Sequence, residues 1–165
     1  MINCYSSATV IDQLANIAGK AGGIIGRVNG NASGSSIENC YTSGDINAIG
    51  GGNAGGIVGK VDGGKLVIKN CIAWNSMLVS TDKAKVGRIV GGTANATYEN
   101  CYAYDGMILK AGEATFTVSD ETSPSGSSFQ GVAKSANELK NTVINWDSSL
   151  WKEGGNGYPV FKWSK

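Results

Sequence analysis

Four Asn-Cys pairs recur along the chain, Asn3-Cys4, Asn39-Cys40, Asn70-Cys71 and Asn100-Cys101, and place the cysteines 36, 31 and 30 residues apart. Interleaved with them is a second element, Gly22-Gly23-Ile24-Ile25-Gly26, Gly55-Gly56-Ile57-Val58-Gly59 and Gly87-Arg88-Ile89-Val90-Gly91, which returns after 33 and 32 residues. Two independent landmarks on one period define a repeat, and a repeat folds by stacking.

The residues between the landmarks say what stacks. Aligned on cysteine, the next position holds Tyr5, Tyr41, Ile72 and Tyr102, and the position three before it holds Met1, Ile37, Ile68 and Tyr98. Each copy supplies short apolar strands broken by Gly, Asn and Ser, a pattern of β coils and not of helical repeats. One coil cannot bury its own inner face, but like side chains stacked at the inter-strand spacing of about 4.8 Å fill a common core. Ile24, Ile57 and Ile89 are expected to form one inward ladder, with Val28, Val61 and Thr93 continuing that strand. The flanking glycines belong where the coil turns or where backbones approach closely. The expected class is all-β, a parallel β-solenoid of about 30-residue coils.

Ile37 and Cys40 are three apart and cannot both point inward on a flat strand. A corner at Asn39 reconciles them, with Asn3, Asn39, Asn70 and Asn100 stacked in a left-handed or turn conformation that asparagine tolerates. Cysteine then faces the core and the following aromatic faces out; the opposite assignment, aromatic in and cysteine out, stays open at this stage.

Composition narrows the function classes. Twenty-five glycines against two prolines fit a chain that turns often. Fourteen basic and thirteen acidic residues leave a formal charge of +1 without a basic cluster, which argues against nucleic acid as a partner. No apolar run reaches the roughly 18 residues of a membrane span. Met1 falls in the slot of Ile37 and Ile68, so the chain is expected to be a monomeric segment of a larger protein with further repeats upstream.

The run Ala54-Gly55-Gly56-Ile57-Val58-Gly59 followed by Ile68-Lys69-Asn70-Cys71, and Ala21 to Gly26 followed by Ile37-Glu38-Asn39-Cys40-Tyr41, resemble the bacterial GLUG repeat. The resemblance covers residues 1 to about 108. It departs at Arg88, which replaces the second glycine, and at Ile72, which replaces the aromatic. It implies stacked β coils in a secreted or cell-surface, adhesin-like bacterial protein, and it brings no catalytic residues with it.

The period fades after Leu109, which divides the chain into repeats over 1–110 and a capping segment over 111–165. Residues 111–131 read as a loop or irregular strand pair, with Phe116 and Val118 completing a coil. Ser135-Ala136-Asn137-Glu138 is a capping-box pattern that predicts a short helix from about Ala136 to Asn141. Val143, Ile144, Trp146, Leu150, Trp151, Tyr158, Val160, Phe161 and Trp163 then read as an aromatic-rich plug over the last coil, with the turn Gly154-Gly155-Asn156-Gly157 before a closing strand at 158–163. A carbohydrate-stacking site made by Trp146, Trp151 and Trp163 is the other reading.

Chemistry is sparse. Histidine, the usual general base and metal ligand, is absent. The cysteines lack the paired spacing of zinc sites and are expected to be four free core thiols. Asp12, Asp45, Asp62, Asp82 and Asp105 are dispersed in the alignment, and the stretch Gly50 to Gly56 lacks the lysine and helix of a phosphate loop. No enzyme, cofactor or metal is therefore expected. The candidate ligand-binding residues are aromatic, Tyr5, Tyr41, Trp74, Tyr102 and Tyr104, a stripe suited, if outward, to stacking on sugars or to protein contact. The reading that results is a non-enzymatic adhesion or scaffold module meeting host or cell-surface glycans or proteins through that stripe. A polysaccharide-degrading β-helix enzyme and a passive spacer between other domains are the alternatives.

Overall fold

The computed structural model describes residues 1–13, 18–29, 34–63, 66–92, 96–122 and 127–164. They form a parallel β-solenoid of about three turns, followed by one helix amid a cluster of aromatic side chains. Like positions pair in register from coil to coil: Tyr5 with Tyr41, Tyr41 with Ile72, Ile72 with Tyr102, and Tyr102 with Val132. The preceding strands pair Ile37 with Ile68 and Ile68 with Tyr98. A third sheet stacks Val10, Ile46, Leu78 and Leu109. Ile72 thus keeps the register of the tyrosines it stands among.

The asparagine corner forms as expected. Asn3, Asn39, Asn70 and Asn100 have φ of 56°, 53°, 50° and 49°. Their side chains build a ladder, each Nδ2 donating to the Oδ1 of the coil before, at 3.2, 3.1 and 3.2 Å. The left-handed turn throws the next residue inward, and Cys40, Cys71 and Cys101 are buried in the core with Ile37, Ile57, Ile68 and Ile89. Ile24 packs against the same cluster. Val28 pairs with Val61, while Thr93 lies outside the described residues.

Glycine recurs in the second element because backbones cross there. A Cβ on Gly55 would stand 1.9 Å from the Val58 carbonyl oxygen and 2.6 Å from the Gly91 nitrogen. The interior also holds polar groups that answer carbonyls outside the ladders: Thr42 Oγ1 donates to Gly56 O at 2.9 Å, Ser80 Oγ to Gly52 O at 2.6 Å, and Asn53 Nδ2 to Gly91 O at 2.9 Å.

Stacking continues past residue 110. Ile108–Ala111 turns back as an antiparallel hairpin with Ala114–Phe116, so Phe116 closes a sheet edge and does not complete a coil. Val132–Lys134 then adds a parallel strand to Tyr102–Tyr104. The end of the core is closed by Phe129, which is 1% exposed, accepts hydrogen bonds from the backbone of Ile89 and Val90, and lies 4.1 Å from Tyr98 between ring centroids. Arg88 holds the residues that follow Phe129. In the preceding coil the equivalent Gly56 has no room for a side chain, since its Cβ would lie 2.5 Å from Ala73 Cβ. Beyond Arg88 comes the irregular segment instead of another glycine element. Its guanidinium donates to the carbonyls of Gln130 at 3.1 Å and Gly131 at 2.8 Å.

Helix α1 spans Ala136–Trp146, longer than the sequence suggested, and starts in the expected capping box of Ser135 and Glu138. The strands Trp151–Glu153 and Pro159–Phe161 follow as an antiparallel pair. This segment lies along the side of the solenoid, not across its end. The tyrosine face offers a long apolar strip to bury, whereas Phe129 already seals the smaller end.

Candidate functional site

The corner geometry that turns cysteine inward turns the next residue outward, so Tyr5, Tyr41, Ile72 and Tyr102 project from one side of the coils. They do not form an open stripe. Leu139 and Val143 of α1, with Trp151, Tyr158 and Phe161, cover them in one apolar cluster that also takes in Trp74 and Tyr104. Tyr41 is 1% and Trp74 5% exposed, while Tyr5, Tyr102 and Tyr104 are half-buried. The Tyr41 hydroxyl donates to the Pro159 carbonyl, and burial pushes its pKa up. Trp74 meets Tyr158 edge-on at 4.8 Å. The expected exposure of these side chains is corrected on this point: an outward aromatic row is apolar enough to recruit the chain's own C-terminus. Trp146 and Trp151 join the cluster as well, and Trp163 stacks on Phe161 at 4.5 Å.

The covered seam has an open edge. Between the asparagine ladder and α1 runs a groove of about 500 Å³, lined by Asn39, Asn70 and Asn100 on one wall and by Thr142, Asn145 and Trp146 on the other, with Tyr102 at its side. Thr142, Asn145 and Trp146 are three and four residues apart and share one helical face. Leu139 and Val143 anchor the adjoining face beneath the tyrosines. Asn100 and Asn145 are exposed, and the other lining residues are half-buried. Of these residues Tyr102 belongs to the aromatic stripe picked out in the sequence, and Trp146 to the trio read there as an alternative carbohydrate-stacking site. The asparagines were legible as a corner, but nothing along the chain placed the polar face of α1 opposite them. A second cleft of about 370 Å³ opens at the far end, among Glu99, Cys101, Glu121, Phe129 and neighbouring residues.

The thiols and carboxylates serve the scaffold. Burial holds Cys71 well above the ordinary thiol range and pushes Cys101 up to about 12. All four cysteines are free. Asp45 accepts from the Met77 amide at 3.0 Å, Asp82 from the Ala84 amide at 2.9 Å, and Asp62 pairs with Lys60 at 2.5 Å and with Arg27. Lys60 and Arg27 hold the Asp62 carboxyl below its usual range. Among the described residues no three of His, Cys, Asp and Glu gather where they would hold a metal ion. No helix among them is long and apolar enough to cross a membrane.

No family model matches the chain, and no curated protein matches it, so the resemblance to the GLUG repeat has no family match behind it. Its implication of stacked β coils is met by the fold. A solved structure does match: a protein of Bacteroides ovatus, provisionally named an immunoglobulin A1 protease, is 38% identical and superposes with a TM-score of 0.74 over 99% of this chain. The present chain spans 57% of the length of that one. This comparison corrects the expectation of a module without enzymatic character, because a protein sharing almost the whole of this chain's fold carries an enzyme's name.

Proposed function

We propose that the chain is the solenoid unit of a protease-like bacterial protein, secreted or displayed at the cell surface, and that it engages a host glycoprotein of the immunoglobulin A1 type. The likeness to the Bacteroides ovatus protein over 99% of the chain carries this reading. The fold supports it physically. Stacked coils make a rigid rod whose grooves hold their shape without a ligand, as a recognition surface requires. In such a protein the solenoid holds the target, which is also what adhesion to a host surface would ask of it.

The test uses the purified chain and human immunoglobulin A1, with immunoglobulin G as the counterpart. Saturable retention of immunoglobulin A1 on immobilised chain, or its cleavage in a gel assay, supports the reading. Neither retention nor cleavage, or equal retention of both immunoglobulins, overturns it.

A further inference from the structure

We infer that the groove between the asparagine ladder and α1 is a binding site for a neutral, linear oligosaccharide lying along the solenoid axis. An amide side chain has two N–H donors and two acceptor lone pairs. Within the ladder, Asn39 and Asn70 each use one donor on the coil before and one lone pair on the coil after. Each therefore keeps one donor and one acceptor for a ligand. A sugar hydroxyl is itself both donor and acceptor, so adjacent hydroxyls fit this repeated pairing.

The opposite wall continues the chemistry. Asn145 is exposed, and Thr142 Oγ1 donates to the Glu138 carbonyl at 2.8 Å, which leaves its lone pairs for an incoming hydroxyl. The half-buried rings of Tyr102 and Trp146 supply apolar surface against which the C–H face of a pyranose can rest. Trp146 is held edge-on by Trp151 at 6.1 Å, and Tyr102 is held by the Lys134 ammonium at 4.0 Å from its ring centre.

Charge and spacing select among polymers. No lining residue is charged at neutral pH, and the neighbouring Lys69 and Glu99 neutralise one another at 3.1 Å. The Lys134 ammonium is engaged on the Tyr102 ring, so a polyanion finds no cation among the residues that line the groove. The rungs repeat at about 4.8 Å, whereas an extended peptide advances about 3.3 Å per residue and falls out of step with them. A pyranose unit advances roughly one rung at a time. The inference stands on the groove alone and holds whether or not the chain engages immunoglobulin A1.

The experiment titrates the intact chain with tetramers and hexamers of β-1,4-linked glucose, mannose and N-acetylglucosamine and of α-1,4-linked glucose, read by calorimetry and tryptophan fluorescence. Oligogalacturonate and a Gly-Ser peptide serve as charged and peptide counterparts. At least one neutral sugar is expected to bind saturably and to bind more tightly as a hexamer than as a tetramer. Asn145→Ala and Thr142→Val are expected to weaken it at least fivefold each with unfolding midpoints unchanged, while Asn47→Ala, on another face, leaves it intact. Should a variant unfold, fluorescence quenching of the parent by bound sugar, absent with the counterparts, decides the matter through Trp146. The inference is overturned if none of these sugars binds, if the peptide or the polyanion binds in their place, or if binding ignores both groove substitutions.

Discussion

The guanidinium of Arg88 donates to Asp120 Oδ1 at 2.8 Å across the end of the last coil. Asp120 in turn accepts from the Ala133 amide at 3.0 Å, so one arginine ties the segment before Phe129 to the strand after it. Its own side chain is 7% exposed and that of Asp120 50%. Arg88→Ala leaves the buried carbonyl of Gln130 without a donor and takes one of two donors from that of Gly131, which keeps the Glu121 amide at 2.9 Å, and a loss of about 1–3 kcal/mol is expected in urea unfolding.

The same pair sets a pH dependence. Arg88, more than any other group, holds the Asp120 carboxyl below its ordinary 3.8. A carboxyl whose folded value is depressed stabilises the fold fully above its unfolded value and loses that contribution as pH falls through the folded one. The unfolding midpoint is therefore expected to drop between pH 5 and pH 2, and to drop less in Asp120→Asn than in the parent. An equal drop in both would show the pair to be idle.

At the corner, Asn70→Ala and Asn70→Gly separate backbone conformation from hydrogen bonding. Alanine loses two ladder bonds at roughly 0.5–1.5 kcal/mol each and must also hold φ near 50° at a cost of about 1–2 kcal/mol. Glycine loses the bonds without that strain. Alanine is expected to be the more damaging by about 1 kcal/mol in chemical denaturation.

Gly55→Ala is expected to prevent folding, because its Cβ would lie 1.9 Å from a carbonyl oxygen of the main chain, which has no room to retreat. Gly155, in the hairpin turn, has open space around it and no positive φ. Gly155→Ala should leave the melting temperature within a degree or two or raise it slightly.

Thiol reactivity reads the cysteine stack. Cys4 is half-buried, whereas Cys40, Cys71 and Cys101 are buried. With a thiol reagent at pH 8, Cys4 is expected to react first and the other three only at the rate of unfolding. Four equally fast thiols would mean that the core does not stay closed.

The period and the corner at asparagine follow from local rules, since each coil repeats the same residues and asparagine is among the few non-glycines that take such a turn cheaply; that cysteine and not the following aromatic faces inward was open in the sequence and is decided by the fold. Asn39 and Asn70 could be placed from their neighbours alone. The capping box of Ser135 is likewise a statement about four consecutive residues, whereas the end of α1 at Trp146 depends on Val143 finding the tyrosine face.

What no local rule decides is where the C-terminal aromatics go. Val143, Trp151 and Phe161 are equally apolar over the end of a solenoid and along its side. Only the folded coils show that Phe129 and Arg88 already close the end while Tyr41, Ile72 and Trp74 form an apolar row beside it for these residues to cover. That choice buried the aromatic row and brought Thr142 and Asn145 opposite the asparagine ladder. The groove is a contact between residues some 40 to 100 positions apart, joined by burial of apolar surface, which has no direction along a chain and so leaves no motif in it.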